Sequence, residues 1–138
     1  MNPREFVTEI LNEAQQRDVL DPIVRFLSSK GVESVRAEFG FVLKRDLRGE
    51  QQGEDTVVPL SEVQQFIERG LSEGTIEWSG TSNFRLLPVG LDLELTLCND
   101  SDLHFGSSNP ALLMELSRLL SDHGVKVFDS GKLVSKEW

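Results

Sequence analysis

One stretch of the chain gathers the side chains whose chemistry goes beyond packing: Asp92, Glu94, Cys98, Asp102 and His104. Leu91, Leu93, Leu95 and Leu97 alternate with Asp92, Glu94, Thr96 and Cys98, the period of a strand with one buried face. After the turn residues Asn99, Asp100 and Ser101, Leu103 and Phe105 continue the apolar set. A slip of one residue would expose half of that set, so the alternation predicts Leu97 opposite Leu103 and Leu95 opposite Phe105. The other face then carries Asp92, Glu94, Thr96, Cys98, Asp102 and His104 together.

A thiol, an imidazole and several carboxylates are the donor types of a zinc site or of an activated thiol nucleophile. The spacing favours neither. There is no CxxC or HExxH, and carboxylates beside a thiol disfavour the thiolate. Asp100-Ser101-Asp102 is not a calcium loop either, because Phe105 and Ala111 stand where that loop requires glycine and glutamate. Signatures of dinucleotide, P-loop and α/β-hydrolase sites are missing. His123, just before Gly124, reads as a helix cap, and Trp78 reads as core.

The charge is uneven. The chain has 138 residues and a formal net charge of −9. Residues 1–48 hold eight acids and eight bases; residues 49–117 hold twelve acids against Arg69 and Arg85 alone. Such a middle repels phosphate backbones and anionic membranes, which argues against nucleic-acid and membrane partners. It complements a basic protein. A single cysteine, no signal-peptide pattern and no apolar run of about 18 residues point to the cytoplasm.

The elements that position these residues follow from periodicity and punctuation. Asn2-Pro3 with Phe6, Val7, Ile10, Leu11 and Ala14 predicts a first helix, with Glu5 in the capping-box position. Asp21-Pro22 opens a second helix with Ile23, Val24, Phe26 and Leu27 on its core face, stopped by Gly31. A strand is expected over 34–44, and a polar loop over 45–58 whose stretch Arg48–Asp55 is the most mobile internal segment. Pro59 opens a third helix ending at Gly74, and short strands follow at 75–78 and 84–87. Asn109-Pro110 caps a last helix with Leu112, Leu113, Leu116, Leu119 and Leu120 on its core face. A closing hairpin is expected around Ser130-Gly131.

These elements predict one α+β domain over residues 1–138. It is a two-layer sandwich of mostly antiparallel or mixed sheet, with helices on its leucine-rich face. A strand, a Pro-opened helix, a Gly stop and a strand ending in Ser-Gly occur at 34–80 and again at 91–131. This echo suggests two β-α-β units, as in ferredoxin-like sandwiches.

The functional expectation is a non-enzymatic binding or regulatory protein, without cofactor or metal, that presents Asp92, Glu94, Asp102 and His104 to a basic protein partner. The alternatives are a small metal- or thiol-dependent enzyme using Cys98, Asp102 and His104, and a structural homodimer joined through a sheet edge or face.

Overall fold

Alternating burial along short β-branched and leucine-rich segments builds a sheet, and amphipathic segments between them cross over it. The computed structural model describes residues 4–39, 56–74, 84–97 and 101–133. In chain order the elements are β1 (Arg4–Thr8), α1 (Glu13–Asp18), α2 (Leu20–Ser29), β2 (Ser34–Phe39), β3 (Thr56–Pro59), α3 (Leu60–Glu73), β4 (Phe84–Pro88), β5 (Glu94–Leu97), β6 (Leu103–Ser107), α4 (Pro110–Asp122) and β7 (Val127–Leu133). The strands form one seven-stranded sheet among the described residues, in the order β3-β2-β4-β5-β6-β1-β7. Every neighbouring pair is antiparallel.

The helices lie on one face of this sheet. α3 packs on β2 and β3, α4 packs on β1, β6 and β7, and α2 lies between α3 and α4. Period-two burial supplies the sheet side of the core: Val35, Ala37, Val58, Phe84, Leu86, Leu95, Leu97, Leu103 and Phe105. α2 answers with Leu20, Ile23, Phe26 and Leu27 at helical spacing, and α4 with Leu112, Leu113, Leu116 and Leu120. Asn109 caps α4 by accepting from the Ala111 and Leu112 backbone N–H groups at 3.0 and 3.4 Å. Gly124 closes it at φ +83°, a left-handed position that favours glycine.

The echo does not become two interleaved β-α-β units. Three strand–helix–strand crossovers occur among the described residues: β1 to β2 through α1 and α2, β3 to β4 through α3, and β6 to β7 through α4. The first spans three intervening strands, and β1 sits between β6 and β7.

Two sequence expectations are corrected at the chain ends. Residues 4–8 form a strand, not a helix. Phe and Val suit a strand, both backbone edges of β1 are paired, and Ile10, placed on the supposed helical core face, is 72% exposed. The helix cap falls later, at Asn12, which exchanges hydrogen bonds with Gln15 at 2.8 and 2.9 Å in a capping box. Ser130-Gly131 is not a hairpin turn. Phe6 faces Asp129 and Arg4 faces Leu133, so residues 130–132 bulge opposite Glu5 within one strand. The strand expected from Leu91 begins at Glu94, and the loop expected through residue 58 gives way to β3 at Thr56. The segment Arg48–Asp55, the strand at 75–78 with Trp78, and Cys98 lie outside the described residues.

Candidate functional site

The site is the sheet face that no described helix covers. Side chains alternate along each strand, so residues paired across the ladder share a face. One row runs Glu38, Arg85, Thr96, His104, Val7 and Phe128 across β2, β4, β5, β6, β1 and β7. In the row beside it, Arg36 pairs with Val57 and Leu87, and Gly106 pairs with Glu94 and Glu5. Phe128 and Val57 are exposed near its two ends, whereas Thr96 is buried between its neighbours.

Two charge clusters occupy this face. Arg85 donates to Glu38 Oε1 from Nε at 3.0 Å and from Nη2 at 2.8 Å. Its Nη1 lies 3.7 Å from Glu94 Oε1. On the other side of Thr96, His104 Nδ1 is hydrogen-bonded to Glu5 Oε2 at 2.9 Å. His104 Nε2 lies 3.1 Å from Asp102 Oδ1. That second contact has ion-pair distance without hydrogen-bond alignment, since Oδ1 makes no hydrogen bond by angle. The side chains of Glu5 and Asp102 are only 17% and 15% exposed, and that of Glu94 is 40% exposed.

The register read from the leucines holds: Leu97 faces Leu103, and Leu95 faces Phe105. Of the four residues singled out for binding, the fold brings Glu94, Asp102 and His104 onto one face. Asp92 does not join them. It lies in the bend before β5, where its carboxylate accepts from the Ser108 N–H at 3.1 Å and from the Ser108 hydroxyl. That bond ties the β4–β5 link to the start of the β6–α4 link. Glu5, Glu38 and Arg85 complete the clusters and were missed. In the sequence Glu5 fits a helix capping box as well as a strand, and Arg85, a lone base in an acidic stretch, is the one signal of these clusters.

Among the described residues, no three His, Cys, Asp or Glu side chains are placed to hold a metal ion. The face can exchange a proton at His104 and can offer Glu94 to a cation. A separate open groove of about 320 Å³ lies on the helix side, lined by Gln15, Asp18, Asp21, His123 and their apolar neighbours. Two of its groups are already engaged: Asp21 pairs with Arg25 at 3.0 Å, and His123 Nδ1 meets the Leu119 carbonyl at 3.0 Å, as a cap would. No described helix is long and apolar enough to cross a membrane. No family model matches the chain, and no curated protein or solved structure matches it.

Proposed function

We propose that the chain is a single-domain cytoplasmic binding or regulatory protein that presents its open sheet face to a basic protein partner. The observation that carries this reading is the balance of charge among the described residues of that face. Glu5, Glu38, Glu94 and Asp102 stand against Arg36, Arg85 and His104. Glu94 is the anchor. It is the most exposed of the four carboxylates and is held by Arg85 only at 3.7 Å, so a partner's lysine or arginine reaches it with little competition. Asp102 and His104 then shape the neighbouring surface, and Phe128 and Val57 offer apolar contact near its ends.

Affinity purification from the native host, followed by kinetics with the recovered partner, tests this. Glu94→Gln should slow association severalfold at low ionic strength, with the difference shrinking as salt rises. A partner that binds Glu94→Gln as fast and as tightly as the wild type at low salt refutes the reading.

A further inference from the structure

One row across the open face is complementary to itself. Val57, Arg36 and Leu87 stand side by side on β3, β2 and β4, and Glu94 and Gly106 stand side by side on β5 and β6. Leu86 faces Leu95, so the next step along that ladder sets Leu87 opposite Glu94 and joins the two halves. Across the sheet the row runs valine, cation, leucine, anion, glycine. Turned end for end about Leu87, it meets itself as opposites, with the cation on the anion and the valine over the glycine.

Both charges are available. Arg36 is exposed, and among the described residues no carboxylate lies within ion-pair distance of it. Glu94 does not reach it within one chain, because two strand spacings, about 9–10 Å, and Leu87 lie between them. The Glu94 side chain is 40% exposed and has Arg85 only at 3.7 Å. Val57 projects from the face at 59% exposure, and Gly106 raises no side chain against it.

We infer that the open face is a self-association surface whose occupant is a second copy of this chain, packed sheet to sheet about a two-fold axis along β4. Arg36 of each copy binds Glu94 of the other, Leu87 packs on Leu87, and Val57 lies over Gly106. An isologous contact makes each of these interactions twice, apart from the one on the axis. Sheets aligned within about 30° and stacked about 10 Å apart accommodate side chains of this size. The neighbouring row brings Arg85 near its own copy, but each Arg85 carries its own Glu38 at 2.8 Å, so the two cations are not bare. The overlap covers the strands from β3 to β6, roughly 400 Å² on each copy and roughly 800 Å² in all, the size of a weak, transient contact. The inference goes beyond the binding function proposed above. A second copy takes the same Glu94 that a basic partner would reach, and its test needs no such partner.

Sedimentation equilibrium of the full chain from about 10 μM to about 1 mM covers the range of weak complexes and should show the mass rising from monomer toward dimer. High salt should oppose the rise. Arg36→Glu and Glu94→Lys should each remain monomeric, since each sets like charges against each other twice across the axis. Mixed in equal amounts, the two variants should associate, because both contacts then join opposite charges again. The wild-type measurement decides even if a variant does not fold, and circular dichroism shows which variants do. A wild type that stays monomeric at about 1 mM, a dimer that Arg36→Glu leaves intact, or folded variants that stay apart when mixed overturns the inference. Each of these results leaves Glu94 free for a basic partner, whose binding Glu94→Gln tests separately.

Discussion

Leu95 offers the sharpest test of how the two layers meet. It is fully buried in β5, the central strand of the sheet, opposite Leu86 on β4 and Phe105 on β6. The space it shares with Leu20, Ile23, Leu27, Val63 and Ile67 from the helices holds a cavity of only ≈ 10 Å³. Room for about one water means that the layer has no slack to lose. Truncation to alanine removes about three carbons, and at ~0.8 kcal/mol each the transfer cost is about 2.4 kcal/mol. The hole that remains raises the expected loss to about 3–4 kcal/mol, within the range found for buried leucines. That is a large share of the roughly 5–15 kcal/mol that holds a domain folded. With a urea slope of about 2 kcal/mol/M, the Leu95→Ala midpoint should fall by about 1.5–2 M without a change in slope. Val57→Ala, on the open face and 59% exposed, should stay within about 0.5 kcal/mol of the wild type. A loss below about 1 kcal/mol for Leu95→Ala would mean that the helices do not pack on β5 as described.

The remaining stability predictions concern polar groups. Arg85→Ala strips the Glu38 carboxylate, 20% exposed, of its two guanidinium donors. It should cost about 1–2 kcal/mol by urea melting, and adding Glu38→Gln should recover part of the loss; a double variant no better than the single would mean that the pair contributes nothing. Asn109→Ala removes the α4 cap and should lower stability by about 1 kcal/mol, whereas Asn109→Asp should leave it nearly unchanged. Equal melting temperatures for all three proteins would contradict the capping geometry.

How far these elements could be read in advance depended on the range of the interaction that fixes each one. The β5–β6 register was legible because Leu95, Leu97, Leu103 and Phe105 demand one face and lie within a dozen residues of each other. The starts of α3 and α4 were legible from Pro59 and from Asn109-Pro110, and their stops from Gly74 and Gly124, because caps are local chemistry. β1 was not legible. Its apolar residues fit a helical stripe as well as a strand, and its partners lie about a hundred residues away on β6 and β7. The same distance hid half the candidate site. Period two puts His104 on the polar face, but only the pairing of β1 with β6 brings Glu5 to its ring.

The charge tells the same story in a form that bears on function. The excess of acids over residues 49–117 suggested a continuous acidic surface, yet a run along the chain becomes a patch only if the fold keeps it together. Among the described residues the fold disperses it. Asp92 turns to Ser108, Glu115 is drawn to Lys30 at 2.7 Å from the balanced N-terminal segment, and Asp102 is set against His104. What the open face offers is therefore less a field than a set of positioned acceptors. Any partner must compete with Arg85 for Glu38 and with His104 for Glu5 and Asp102. Competing for those groups means breaking contacts among partly shielded charges, which is costly, whereas Glu94 is loosely held and half open to water. A basic partner should thus gain specificity from the fixed geometry around one accessible carboxylate, and only a modest share of its affinity from net charge.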